Sequence, residues 1–274
     1  MGYFKTIFMP IFESIRIKPT NFLLYCNNLT EEYHDLSFTK NDTINSLKLV
    51  RDEINNKEDV LDALNDEFLS VGIYFKQLKT SEYTPIYKQA GIIYGEYIPR
   101  EPFLYIYVND GFIDNFLENK FEVLADAIVA ISTHEDTHRQ QNSLSGGKIK
   151  GTPDEVFPIN TAEKVKTYLG NPAEIDAHAR EAAMNFYNLG LGGKELLNKI
   201  KNKDKVLFVS RAYSQYWSAF GIMTNCKDKL DEDGRQRLKI WKRFLKRIIA
   251  YLSTTERYKF AMSVQSASEK FDKQ

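Results

Sequence analysis

The hydrophobic positions of this chain change period along its length. Val60, Leu61, Leu64 and Phe68 recur at helical spacing, which predicts a helix over Lys57–Leu69, preceded by another from the capping run Asn41-Asp42-Thr43 to about Arg51. From Ser70 the pattern becomes extended. Ser70–Leu78, Ile92–Tyr97 and Phe103–Val108 read as strands, with Ile86–Gln89 as a short extended piece after a turn at Tyr83–Pro85. Asn109-Asp110-Gly111 marks a turn. A long apolar helix follows over Phe121–Gln141. After a Gly- and Pro-broken loop, Ser143–Asn160, come a short helix over Thr161–Tyr168 and another from Pro172 to about Asn188. A loop that long is expected to be either a functional segment, in the position of a lid, or a disordered connector. Residues 194–274 read as helical. They include an aromatic face on Lys205–Ile222 and a basic amphipathic helix over Arg235–Leu252, both expected to pack.

The order predicts an α+β fold: a small mixed sheet with a long helix, followed by a mostly helical C-terminal half. Three segments follow: residues 1–40, of illegible role; a core over 41–190; and a helical part over 191–274. Within 1–40, Phe4–Ile15 and Phe22–Cys26 read as short elements, and His34 sits in a polar context.

The candidate chemistry lies in the two central helices. His134-Glu135-Asp136-Thr137-His138 is a His-Glu-x-x-His motif at the end of the apolar run. Residues i and i+4 share a helix face one turn apart, so both imidazoles can point at one ion. Glu135, beside the first, is placed to take a proton from water. In the second helix Asn171 is a good N-cap and Pro172 suits the first helical position. Glu174 then falls in the first turn and His178 one turn later on the same face. Three of the chain's four histidines lie in these two helices.

These residues resemble the zincin metallopeptidases, in the gluzincin branch. The Asn171-Pro172-Ala173-Glu174-Ile175-Asp176-Ala177 run is similar to the peptidase domains related to anthrax lethal factor and to phage and bacterial peptidases. The resemblance covers roughly residues 60–190. It implies a zincin-like core, a Zn2+ cofactor held by His134, His138 and Glu174, Glu135 as general base, and hydrolysis of a peptide or protein substrate. It also implies a site-facing role for Tyr168, polarising the tetrahedral intermediate. The resemblance further implies an acidic partner of a zinc histidine four residues after the Glu ligand. Here that position is His178, which leaves two options: it supports a ligand, or it replaces Glu174. Asp176 is a further candidate for orienting a ligand histidine. The Phe103–Val108 strand is expected to be the edge nearest the cleft, open to an extended peptide.

Composition adds exclusions. The 37 basic and 37 acidic residues cancel, so no nucleic-acid partner is expected. Cys26 and Cys226 are isolated, which argues against a disulfide framework. No signal peptide or membrane-spanning run is evident, so the expected location is cytoplasmic or phage- and virion-associated. The competing readings are a di-iron carboxylate bundle, for which Glu174-x-x-x-His178 is one residue too long, and a non-catalytic structural or interaction protein with a degenerate motif. The sequence leaves the oligomeric state open.

Overall fold

Nine helices and one three-stranded sheet make up the described part of the chain in the computed structural model. That part comprises residues 39–54, 56–78, 85–146, 161–222, 224–225 and 230–271, with side chains described to 253. The short elements expected before residue 39, His34, both cysteines and most of the Ser143–Asn160 loop lie outside it. Phe38–Glu256 forms one compact unit, and every side-chain contact below lies within it.

Helix α1 (Lys40–Glu53) opens on a reciprocal cap. Thr39 accepts from the Asp42 backbone, and Asp42 accepts from the Thr39 N–H at 3.0 Å. Helix α2 (Val60–Phe68) ends in a 3-10 turn that leads into β1 (Ile73–Gln77). Strands β2 (Ile92–Tyr97) and β3 (Leu104–Val108) complete a sheet of order β1-β3-β2. β1 runs parallel to β3, and β2 antiparallel. The small mixed sheet is therefore present, but the expected edge strand is not the edge. β3 is central, and β2 is the antiparallel strand next to the long helix. The reason is visible in β3 itself: Leu104, Tyr105, Ile106 and Val108 are all buried, as a strand flanked on both sides demands. The free side of β1 is occupied as well. The buried Asn65 amide of α2 accepts from Phe75 N at 2.7 Å and donates to its carbonyl at 3.2 Å, replacing a strand neighbour.

The segment read as a turn after β3 continues as helix α3 (Asp110–Leu117), capped by Asn109. Gly91, at φ 69°, passes so close to this helix that a Cβ there would collide with the Phe112 backbone nitrogen. Helix α4 (Phe121–Leu144) is the long apolar helix of the sequence pattern. Its first half packs with α1, α2, α3 and the sheet into one apolar core.

A second core lies beyond it. It is built by α5 (Ala162–Gly170), α6 (Pro172–Asn188), α7 (Gly193–Lys201), α8 (Arg211–Ala219) and α9 (Glu232–Phe271). The helix expected over Lys205–Ile222 is broken. A 3-10 turn spans Lys205–Val209, and Ser210 then caps α8 by accepting from Tyr213 N. Tyr213, Tyr216 and Phe220 are core residues, as are Trp241, Leu245, Ile248 and Leu252 of the basic helix. Among the described residues no helix is long and apolar enough to cross a membrane. The functional interest lies at the seam where α4 meets α6, between the two cores.

Candidate metal centre

Three donor atoms meet at this seam. His134 Nε2 is 3.2 Å from His138 Nε2, and Glu174 Oε2 is 3.6 Å from the first and 3.7 Å from the second. Zinc bonds of about 2.0–2.2 Å give a coordination tetrahedron with edges of about 3.3–3.6 Å. The donor triangle matches those edges to within about 0.1 Å. Imidazole nitrogen and carboxylate oxygen are also donor types zinc accepts.

The helices fix this geometry locally. His134 and His138 are one turn apart on α4. Glu174 is held at the start of α6 because Asn171 caps that helix, accepting from Ala173 N at 2.9 Å, and Pro172 fits its first position. The two helices are tied beside the donors by Asp136. This buried carboxylate accepts from Arg180 of α6 at 3.1 Å and from Arg139 and Gln140 of its own helix.

His138 is oriented by a hydrogen bond through its other nitrogen, whereas His134 Nδ1 makes none and only faces a carboxylate. His138 Nδ1 lies 3.1 Å from Gln141 Oε1. The Gln141 amide faces that way because its NH2 donates to Ala173 O at 3.2 Å and to Asp176 at 3.3 Å. His138 Nδ1 therefore carries the hydrogen, and its Nε2 lone pair faces the centre. Asp176 acts on the site one residue removed, through Gln141, and is itself paired with Arg247 of α9 at 3.4 Å.

The carboxylate that faces His134 Nδ1 is one the sequence reading missed. Glu181 Oε2 lies 3.5 Å from His134 Nδ1 and 3.3 Å from His178 Nδ1. Glu181 is fully buried, and it is compensated by Arg211 of α8 at 3.0 Å and the Tyr87 hydroxyl at 2.9 Å. A signal existed: positions 174, 178 and 181 share one face of α6 at helical spacing. Arg211 and Tyr87 come from distant segments, and nothing local marked them.

Burial alone would push the His134 imidazole down, but Glu174, Glu181 and Glu135 together hold it up to about 10. Burial likewise opposes ionisation of Glu174, yet His134 and His138 outweigh it and hold this carboxyl far below the carboxylate range. Glu181 is also held low, against its burial, chiefly by Arg211. His178 is pushed down to about 4 by burial and by the charge of His134, and so is neutral.

Glu135 sits beside the triad and meets the sheet. Its carboxylate accepts from the Tyr97 N–H of β2 at 3.0 Å, and the Tyr97 hydroxyl accepts from Asn142 one helix end further on. The close approach depends on Gly95. A Cβ there would lie 2.7 Å from Ile131 Cγ1 and 2.9 Å from Glu135 Cγ. Burial raises the Glu135 carboxyl above its ordinary value, while the two histidines and Tyr97 N–H hold it partly back. Tyr168, from α5, reaches the Glu174 carboxylate with its hydroxyl. Burial and that carboxylate raise its pKa well above the ordinary tyrosine value, so it remains a donor.

Arg211 and Tyr87 also line a cleft of about 520 Å3, walled by Ala127 and Ala130 of α4 and Asn185 of α6. It adjoins the buried network and contains none of the donor residues. Compared with protein-family models, with curated proteins and with solved structures, the chain finds no match.

Proposed function

We propose that this protein is a zinc-dependent metallopeptidase of gluzincin-like type. The carrying observation is the donor triangle of His134 Nε2, His138 Nε2 and Glu174 Oε2, with edges of 3.2–3.7 Å, beside a carboxylate that is not part of it. A zinc ion held by these three residues would supply a Lewis acid and a water of lowered pKa. Glu135 takes the proton from the attacking water and delivers it to the leaving amine nitrogen. Its raised pKa suits a group that must both accept and return a proton. The Tyr97 N–H holds one of its oxygens, so the other is left to face the water. Gln141 keeps His138 in the tautomer that binds metal, and the Glu181 carboxylate, 3.5 Å from His134 Nδ1, favours the same tautomer there. Tyr168 holds Glu174; the oxyanion role expected of it requires its hydroxyl to leave that partner.

β2, not β3, is the strand that supports substrate binding in this reading. It is the antiparallel edge strand, and its Tyr97 stands directly over the general base. An extended peptide laid along it would present a carbonyl near Glu135.

The test is Glu135→Gln in the zinc-loaded protein, assayed on a mixed peptide library. Zinc content should stay at one per chain while cleavage falls by about 10²–10⁴-fold, the usual contribution of a general base. Wild-type protein that binds zinc but cleaves no peptide in the library would favour the non-catalytic reading.

A further inference from the structure

The donor set holds one more ligand than a catalytic zinc site uses. His178 is 2% exposed, and its Nε2 is buried without a hydrogen-bond partner. A buried nitrogen left so is costly, and native structures seldom keep one without a reason. Its Nδ1 faces the Glu181 carboxylate, which only accepts, so the hydrogen is on Nδ1 and the Nε2 lone pair is available. The imidazole stands among other donor residues. One ligand atom each from His134, Glu174 and His178 lie within 4.8 Å of one another, and the His134 and His178 rings are 4.3 Å apart.

Two donor triads therefore overlap. They share His134 and Glu174. The outer is completed by His138, whose side chain is 22% exposed, and the inner by His178, whose side chain is 2% exposed. We propose that the metal has two positions in this protein, an outer one on His138 and an inner one on His178, exchanged without releasing His134 or Glu174. This deepens the metallopeptidase reading and rests on it. In the outer position the ion is next to Glu135 and solvent, the open arrangement catalysis needs. In the inner position it is enclosed by the second core, under Tyr168 and Tyr216, whose rings lie 6.2 and 5.5 Å from that of His178. The inner position would be a resting state that keeps the ion while withholding it from water and substrate.

The experiment compares zinc and cobalt binding to wild type, His138→Ala, His178→Ala and the double variant, by equilibrium dialysis and cobalt absorption spectra. His138→Ala should keep one ion per chain, with affinity reduced about 10–100-fold and a changed cobalt spectrum. His178→Ala should also keep one ion, which shows that it folds. The double variant should bind at least ten times more weakly than His138→Ala. If His178→Ala does not fold, His178→Gln takes its place, since it retains a polar partner for Glu181. Equal binding by His138→Ala and the double variant, or none by His138→Ala, overturns the inner position while leaving the outer site intact. No metal in wild type defeats the metallopeptidase reading itself.

Discussion

His134 and His138 present their Nε2 atoms to each other at 3.2 Å, while both Nδ1 atoms face oxygen acceptors. Two lone pairs cannot oppose each other at that distance without a cation between them. In the absence of metal the cation is a proton, and His134 keeps it up to about pH 10.

The metal-free protein should therefore have a characteristic pH–stability profile. His134 has a raised pKa, so its stabilisation is complete below the ordinary value of 6.5 and is lost as pH rises toward about 10. Glu174 and Glu181 have lowered values, so theirs is present above about 4.5 and lost as pH falls. Glu135, with a raised value, opposes stability above its ordinary 4.5. His178, held down to about 4 by burial, costs stability below its ordinary 6.5. Urea melts of chelator-treated protein should therefore be most stable near pH 6.5. An optimum above pH 8 would contradict the assignment of these partners.

Gly95→Ala should damage activity more than any other small substitution in β2. The added methyl would press on Ile131 and Glu135, and overpacking of this kind costs about 1–3 kcal/mol. Because β2 must lift from α4, the Tyr97–Glu135 hydrogen bond lengthens. Peptide cleavage should fall with zinc content unchanged. Unchanged cleavage would show that this contact does not position the base.

Glu181→Gln should weaken zinc binding about 10–100-fold, the usual effect of removing an outer carboxylate partner of a ligand histidine. It also leaves Arg211 short of its charge partner, and breaking a buried pair costs about 3–5 kcal/mol. Arg211 keeps some exposure, so the stability loss belongs at the lower end of that range. Zinc titration and thermal melts of the variant read the two effects separately. Asp176→Asn, which acts on His138 only through Gln141, should cost less in both.

Much of the site was legible because its two helices carry local signatures. The His134–His138 spacing, the Asn171-Pro172 start and the position of Glu174 all follow from short-range rules, and the structure brings those residues together. What the sequence hid is long-range. The centrality of β3 depends on which strands pair, and three short apolar strands do not announce their order. Glu181 gains its meaning only from Arg211, thirty positions away, and from Tyr87 across the seam. The buried charge of Asp136 inside the motif helix is likewise answered from afar, by Arg180 of α6, together with Arg139 of its own helix. Helix α3 was missed because Asn109-Asp110-Gly111 serves as a helix cap here and not as a turn.

The central claim is that α4 and α6 together build a metal site, and metal content tests it most directly. Purified wild type, His134→Ala and Glu174→Ala would be dialysed against equimolar zinc and analysed for bound metal, with circular dichroism to confirm folding. Wild type should hold one zinc per chain, and stoichiometric binding should be lost in both variants, because both donor triads use these two residues. Zinc retained by folded Glu174→Ala, or no zinc in wild type, would contradict it.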